Sequence, residues 1–296
     1  MKKDLFIIGN GFDQAHHLPT SYSDFRSFLE KNKHGKQIQA LESIYNEDHQ
    51  LWSQFEKSLA NPNIQNLLKF TDHYFNEIEK KRVIKTRAIV DDYSIAIENA
   101  FDSLRDEIVF MFNEWIRSID IDKVNNLFSL PKDALFLSFN YTHLLEKIYH
   151  INSSQILHIH GYCDENSTVI FGYEDKNSVI VDDSLSEFQK NELTNYMNVF
   201  HKDTSKILSS NPSFFSFLKG QIDNIFVLGH SLDIDHLYFN YLHQIAPDAH
   251  WHISIYGDTA EDTIKDENKK KSILWGIGIH QCTFNSIHDI CSSSLQ

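Results

Sequence analysis

Glycine and polar residues follow the first apolar run of the chain, in the segment Gly9-Asn10-Gly11-Phe12-Asp13. A glycine turn between a strand and a helix lets backbone N–H groups come close to a phosphate or pyrophosphate. The third glycine of the dinucleotide-binding fingerprint is missing, because Gln14 stands in its place. The segment therefore predicts either a phosphate-binding turn or an ordinary tight turn.

A polar side chain also ends the apolar run that leads into Ser138-Phe139-Asn140-Tyr141-Thr142. The two-residue period of a strand puts Phe136, Ser138 and Asn140 on one face, with Asn140 at the carboxyl edge of the predicted sheet. A side-chain amide at this edge can bind a ribose hydroxyl or hold a water molecule. The alternative is that Asn140 caps the helix that follows.

Two histidines, His158 and His160, occupy one face of another predicted strand, which ends at Gly161. His160 is nearer the carboxyl edge, where a neutral imidazole can take a proton from a ribose hydroxyl or a water near pH 7. His158 is expected deeper, as a hydrogen-bonded core residue. A metal site on this pair is an alternative, although no third ligand has a diagnostic spacing.

A second glycine turn, from Gly229 to Asp235, follows a further apolar run and contains Ser231 and two carboxylates. The hydroxyl and the turn are candidates for a ligand site. Asp233 or Asp235 is expected to cap the next helix, which stops before Pro247. The alternative is a D-x-D metal pair of the kind found in nucleases.

Short apolar runs separated by helical segments predict the elements that position these groups. The runs are residues 5–8, 134–139, 156–160, 169–171, 225–228 and 252–256. The pattern favours an α/β, Rossmann-like fold, in which a mostly parallel sheet has helices on both faces. Ligands of such sheets bind at the carboxyl ends of the strands, near a topological switch point.

A long stretch without glycine or proline, between Pro62 and Pro131, has the periodicity of helices. We therefore predict a large helical insertion at residues 30–130 within a core formed by residues 1–29 and 131–296. Asn61 and Pro62 are expected to begin a helix. Two apolar faces are expected in the insertion, one with Ile97, Phe101, Leu104, Ile108, Met111, Phe112 and Trp115, the other with Ile64, Leu67, Leu68, Phe75 and Ile78.

Charge and composition exclude several classes of protein. The formal net charge of −14 argues against direct nucleic-acid binding and against adsorption to anionic membranes. The longest apolar runs are far shorter than the roughly 20 residues of a membrane-spanning helix. The chain has 3 cysteines and no CxxC pair, so neither a disulfide framework nor a cysteine zinc site is indicated. We expect a cytoplasmic protein.

The four polar segments belong to longer stretches that resemble the AbiH-like bacteriophage abortive infection family. These stretches are IIGNGFDQAHHLPTSYSDF, SFNYTHLLEKIY, ILHIHG, IFGYED and VLGHSLDIDHLYF, in the expected order. That family in turn resembles a divergent branch of the sirtuin-like NAD-binding fold. The resemblance implies a sirtuin-like core and a role in antiphage defence.

The sirtuin-like pattern is a glycine turn with a downstream proline and phenylalanine, an Asn after a strand, a His-Gly and a Gly-x-Ser turn. In antiphage relatives of this fold the Asn and the His carry out NAD hydrolysis, so the resemblance implies that Asn140 and His160 are catalytic and that NAD is the substrate. The first element of the pattern is matched by Gly9, Gly11, Pro19 and Phe25. The NAD-binding residues that the resemblance implies are Gly9, Asn10, Gly11, Phe12, Asp13, Thr20, Gly161, Gly229 and Ser231.

Three departures from the sirtuin-like pattern bear on the chemistry. Deacylases of that fold have a four-cysteine zinc module after the His-Gly, whereas only Cys163 stands there, so we expect neither deacylation nor a metal. Asn10 replaces the alanine between the first glycines, and Thr142 replaces a frequent carboxylate. These departures leave open whether the nucleotide is NAD, NADP or another one, and whether it is turned over.

The expected mechanism assigns a task to each segment. Backbone N–H groups at residues 9–12 bind the pyrophosphate, Asn140 orients the ribose and a water, and His160 is the general base. Asp13 stabilises the cationic sugar. Ser231 and the turn at Gly229 hold the adenosine.

Two other functions remain as alternatives. The first is a nucleotide-binding sensor or scaffold without turnover, and the second is a metal-dependent nuclease that uses Asp233 and Asp235. The insertion is expected to mediate homo-oligomerisation, to sense a phage-derived trigger, or to bury its apolar faces within one chain.

Overall fold

The computed structural model describes residues 3–45, 50–70, 89–163, 169–174 and 187–294. Its sheet has six strands in the order β3-β2-β1-β4-β5-β6, and every neighbouring pair is parallel. This is the strand order of doubly wound nucleotide-binding folds, in which the chain reverses direction across the sheet at β1 and β4. The predicted Rossmann-like α/β fold is confirmed. The strands are β1 (Lys3–Ile8), β2 (Leu135–Ser138), β3 (Ile156–His158), β4 (Ile222–Leu228), β5 (His250–Ser254) and β6 (Cys282–Asn285).

Helices fill the segments between the strands. In chain order they are α1 (Asn10–Ala15), α2 (Tyr22–Lys31), α3 (Gly35–Tyr45), α4 (Gln50–Ser53), α5 (Phe55–Leu59), α6 (residues 64–70), α7 (Ile89–Arg117), α8 (Leu144–Lys147), α9 (Glu187–Val199), α10 (Thr204–Ser209), α11 (Pro212–Leu218), α12 (His236–Ile245), α13 (Ala260–Gly276) and α14 (Ile287–Ser293).

The central strands are buried on both faces, as the continuous apolar run of β1 predicts. On one face an aromatic ladder crosses four strands in register. Phe6 stacks on Phe136 and Phe226, with ring centroids 5.4 and 4.6 Å apart, and Phe226 stacks on His252 at 4.6 Å. Such pairs stabilise a sheet beyond the area they bury, and they fix the register of β2, β1, β4 and β5.

Two sequence predictions about strands and caps were wrong, and one strand was missed. Residues 169–171 do not form a strand, although the Ile170 amide donates to the carbonyl oxygen of His160 at 2.8 Å. Edge strand β6 was missed because its half-exposed sequence, Cys-Thr-Phe-Asn, lacks an apolar run. Helix α6 begins two residues later than predicted, because the Asn63 side chain, and not Asn61, accepts from the Asn66 amide.

The chain divides into two compact units. Unit 1 comprises residues 1–20, 116–170 and 203–296, and it contains the sheet. Unit 2 comprises residues 21–115 and 171–202 and is helical in its described parts. The boundaries of these compact units differ from those of the insertion predicted at residues 30–130. The division into a core and an inserted domain stays a prediction.

The predicted apolar face of α7 is buried at Phe101, Leu104, Ile108, Met111, Phe112 and Trp115. Two residues of the other predicted face, Phe75 and Ile78, lie outside the described residues. No helix in the described part of the chain combines the length and the apolar content that a bilayer span needs.

Candidate functional site

Two glycine turns interlock at the carboxyl edge of the sheet, where β1 and β4 end. The Gly11 amide donates to the carbonyl oxygen of Gly229 at 2.8 Å, and the Gly9 amide donates to that of Leu228 at 2.9 Å. The Phe12 amide donates to the carbonyl oxygen of Gly9. These three amides are therefore occupied by protein acceptors, which differs from the prediction that they bind a pyrophosphate.

Close backbone approach explains the glycines of both turns. A Cβ at Gly9 would lie 2.6 Å from the Cα of His230, and a Cβ at Gly229 would collide with the backbone nitrogen of Phe12. Gly229 also has a φ of +69°, in the left-handed region that favours glycine. The turns are thus shaped by their contact with each other.

A buried polar network joins the end of β2 to helix α1. The Asn140 Nδ2 donates to Asp13 Oδ1 at 2.8 Å and to the carbonyl oxygen of Gly9 at 3.1 Å, and the Thr142 hydroxyl donates to Asp13 Oδ2 at 2.7 Å. Asp13 and Asn140 are only 1% and 5% exposed. Because both Asn140 contacts are to acceptors, the orientation of its amide is fixed. The Oδ1 atom of Asn140 is buried and has no hydrogen-bond partner among the described residues.

The carboxyl group of Asp13 has a shifted pKa. Burial raises it, while hydrogen bonds from Thr142 and Asn140 and the charge of His158 lower it, and the result is a pKa of about 6. The group is therefore mostly a carboxylate at pH 7, and it is protonated in mild acid. Thr142 serves here as a donor to Asp13.

Asn10 and Thr20 are joined at the same end of β1. The Asn10 Nδ2 donates to the carbonyl oxygen of Thr20 at 2.7 Å. The Thr20 hydroxyl is buried and has no hydrogen-bond partner in the described part of the chain. The Asn10 side chain therefore holds the segment after α1 in place.

His160 belongs to a second buried network, with Asp235 and His230. His160 Nε2 lies 3.8 Å from Asp235 Oδ1, and His230 Nε2 lies 3.1 Å from Asp235 Oδ2. The Leu232 amide donates to His230 Nδ1, so the proton of a neutral His230 is on Nε2 and is donated to Asp235. Asp235 precedes α12 but makes no capping hydrogen bond with its side chain. Asp235 thus occupies the predicted N-cap position, but its carboxylate faces the two histidines and not the amides of the helix.

The other polar residues of this turn separate from Asp235. Asp233 Oδ2 pairs with Lys269 Nζ at 2.7 Å, so the two carboxylates of the D-x-D motif face different partners. Ser231 is exposed, and its hydroxyl oxygen lies 3.4 Å from the Asp233 amide. The structure thus buries Asp235, leaves Gly229 half-buried and leaves Ser231 at the surface.

Residues 5–255 match the family described as bacteriophage abortive infection AbiH. The chain belongs to this family. The AbiH match includes β1 to β5 and both buried networks, and it ends before α13, β6 and α14. No curated protein and no solved structure matches the chain.

In the sheet of this AbiH chain, the two predicted catalytic residues follow the ends of the neighbouring strands β2 and β3. Ser138 pairs with His158 in the β2–β3 register, and Asn140 and His160 each follow that pair by two residues. The ring of Phe139 contacts His160 and His230, with centroids 5.2 and 4.6 Å apart. Gly161 follows with a φ of +73° and turns the chain after His160.

Sequence reasoning missed His230 and the role of Asp235 as its acceptor. The sequence signal that could have found His230 was its place directly after Gly229, where the backbone turn itself does not require a histidine. A third polar cluster was also missed, in which ligand atoms of His143, Glu146 and His158 lie within 4.8 Å of one another. His158 was expected to be a hydrogen-bonded core histidine, and each of its ring nitrogens lies within hydrogen-bond distance of an acceptor.

Proposed function

We propose that this chain is an effector of abortive infection that hydrolyses NAD, with a sirtuin-like use of Asn140 and His160. In the reaction, water adds to the anomeric carbon of the ribose and the bond to nicotinamide breaks. The products are ADP-ribose, nicotinamide and a proton. The family supports the role in abortive infection, and the proposed chemistry is argued from the two buried networks.

The observation that supports this chemistry best is the unpartnered Oδ1 atom of Asn140. A buried acceptor without a donor costs about 1–3 kcal/mol, and proteins keep such atoms mainly where a ligand or water completes them. Both protons of its Nδ2 are already committed to Asp13 and Gly9, so the amide cannot turn to relieve the cost. The amide is thus held ready to accept from a ribose hydroxyl or from the attacking water.

Asp13 supplies negative charge to the same place. The transition state for loss of nicotinamide resembles an oxocarbenium ion, so positive charge develops on the ribose. A buried carboxylate stabilises such charge more strongly than one in water, because less solvent screens it. Asp13 contacts Asn140 directly and acts on the sugar through that amide.

His160 is the general base of the proposal. A positioned imidazole that removes a proton from a ribose hydroxyl or from water typically contributes ~10²- to 10⁴-fold to the rate. Asp235, 3.8 Å away, stabilises the imidazolium that forms. Nicotinamide leaves as a neutral molecule from a pyridinium, so the proposed step needs no acid on the leaving group.

The test is nicotinamide release by the purified chain, measured with and without lysate of phage-infected cells. Asn140→Ala is expected to abolish release while the fold is retained. The matched control is Asn224→Ala, because Asn224 also donates to an aspartate, Asp4 at 2.9 Å, but at the start of β4. His160→Gln is paired in the same way with His252→Gln, a histidine of β5.

Each outcome decides the proposal. Loss of release in the Asn140 and His160 variants, with activity kept in both controls, supports NAD hydrolysis at this edge. Full activity in either site variant overturns its assigned role. Calorimetric binding of NAD or ADP-ribose without any nicotinamide release would instead identify a nucleotide-binding sensor.

A further inference from the structure

Three potential metal ligands lie close together at β3. Two of them are in the segment that follows β2, and the third is in β3 itself. His143 immediately precedes α8, Glu146 lies in the first turn of that helix, and His158 ends β3. Glu146 Oε1 lies 2.8 Å from His158 Nε2 and 3.5 Å from His143 Nδ1. The spacing of three residues puts His143 and Glu146 on the same side of the helical turn, facing the strand.

His158 has an acceptor at each ring nitrogen. Its Nδ1 lies 3.2 Å from the carbonyl oxygen of Asn140, and its Nε2 faces the carboxylate of Glu146. A neutral imidazole has one N–H and can satisfy only one of these two acceptors. The other contact requires a second proton or a metal ion between nitrogen and carboxylate. An Nδ1–H donated to a backbone carbonyl is the arrangement that orients metal-bound histidines.

Both histidines contact the same oxygen of Glu146, Oε1, which leaves its second oxygen to be considered. Its Oε2 atom is buried and has no hydrogen-bond partner among the described residues. Burial alone would raise the pKa of this carboxyl, but hydrogen bonds from His143 and His158 outweigh it and lower the pKa to about 2.

We propose that His143, Glu146 and His158 form a binding site for Zn²⁺. Two imidazoles and one carboxylate are a common ligand set of zinc sites that leave the fourth position to water or substrate. Zn–N and Zn–O bonds of about 2.0–2.2 Å put tetrahedral ligand atoms roughly 3.4 Å apart. The distance between His143 and Glu146 already fits, and the shorter contact of Glu146 with His158 opens by about half an ångström.

The exposure of the three side chains indicates from which side the fourth coordination position of the proposed zinc site is open to solvent. His158 is 5% exposed, whereas Glu146 and His143 are 22% and 30% exposed. The ion is therefore held from the inside by His158 and is reached from the solvent past His143. The site is independent of the proposed hydrolysis, and it departs from the sequence-based expectation that no metal binds.

The test is titration of the chelator-treated full chain with ZnSO₄, with bound metal measured after equilibrium dialysis. We expect one equivalent of Zn²⁺ and a rise in Tm, because a ligand of the native state stabilises it. His143→Ala and Glu146→Gln are expected to weaken binding by about 100-fold or more, since each removes a ligand. The matched control is His280→Ala, an exposed histidine just before β6 at the opposite edge of the sheet.

Two further readouts separate a built site from surface histidines. Cobalt(II) in place of zinc is expected to give the visible absorption of a low-coordinate ion in the wild type and not in Glu146→Gln. Calorimetry in two buffers is expected to detect release of a proton on binding, because the ligands must be deprotonated. Absence of stoichiometric binding, or equal binding by Glu146→Gln and the wild type, overturns the proposal and leaves a His158–Glu146 ion pair. Asn140→Ala keeps its zinc, so failure of this site and failure of NAD hydrolysis are distinguishable.

Discussion

The side-chain amide of Asn140 is held by Asp13, with 2.8 Å between Nδ2 and Oδ1, across 127 positions of the sequence. The contact ties the end of β2 to helix α1, and it exists only because the two strands pair in register from Leu5–Leu135 to Ile8–Ser138. The pairing register of β1 and β2 therefore places the Asn140 amide against the Asp13 carboxylate.

Asn140→Asp tests this contact directly. The change sets a second carboxyl against the buried Asp13, and two carboxylates at hydrogen-bond distance cannot both ionise. We expect the free energy of unfolding to fall by about 3 kcal/mol or more at pH 7 and by clearly less at pH 5, where keeping one of the two groups protonated costs less. Urea unfolding at the two pH values measures it.

Asn224→Asp is the matched control for that variant, because it faces the half-buried Asp4 in the same way. Water screens this pair, so its loss of stability is expected to be smaller. Equal losses for Asn140→Asp at both pH values would show that the Asp13 contact is not the cause.

Asp13 makes a second prediction, on the pH dependence of stability. Its pKa in the folded chain, about 6, is above the usual 3.8. Between these values the folded state holds more protons than the unfolded state, so this group's contribution is fully present below pH 3.8 and is lost as the pH rises through 6. At most about 3 kcal/mol is involved.

Asp13→Asn removes that dependence, since the amide does not titrate. Chemical unfolding of wild type and variant from pH 4 to pH 7 should give two curves whose separation changes across this range. Curves that stay parallel would mean that the pKa of Asp13 is the same in the folded and unfolded chains.

Gly229→Ala, in the turn directly after β4, is expected to lower the free energy of unfolding more than most small substitutions at this edge of the sheet. Its φ of +69° costs an L-residue about 1–2 kcal/mol, and the new methyl group would also collide with the backbone at Phe12. We expect a loss of more than about 3 kcal/mol, or no folded protein.

Gly220 provides an unusually close control for this prediction. It has a φ of +68°, but a Cβ there would meet nothing within 4 Å. Gly220→Ala should therefore show the conformational cost alone. Similar unfolding midpoints for the two variants would contradict the interlocking of the glycine turns as the source of the difference.

The parallel sheet could be predicted from the sequence because its central strands are short, apolar and separated by helical segments. The same reasoning put Asn140 and His160 at the carboxyl edge, since each directly follows such a run. It failed for β6, where half-exposure replaces an apolar run with mixed residues. A continuous apolar run is typical of strands buried on both faces, and β6 has no such run.

The partners of the site residues could not be predicted, because they depend on contacts between distant segments. Asp235 has the position of a helix cap. Only the fold shows that His230 donates to its carboxylate and that His160 lies 3.8 Å from it. Glu146 has no sequence spacing that links it to His158, and it reaches that ring because α8 returns beside β3. The amides of the glycine turn were expected to bind phosphate, but they meet the turn at Gly229 instead.

Asp235→Asn separates positioning from substrate binding in the proposed hydrolysis. Asp235 accepts from His230 and lies 3.8 Å from His160, and the neutral amide no longer stabilises an imidazolium. We expect kcat for NAD hydrolysis to fall by about 10²-fold with little change in KM, because the carboxylate acts on the base and not on bound NAD. Steady-state nicotinamide release measures both constants. Asp233→Asn is the control. Asp233 lies two residues before Asp235 in the sequence, but its carboxylate pairs with the exposed Lys269. If both variants lose the same activity, the effect belongs to the turn as a whole, and Asp235 has no specific action on His160.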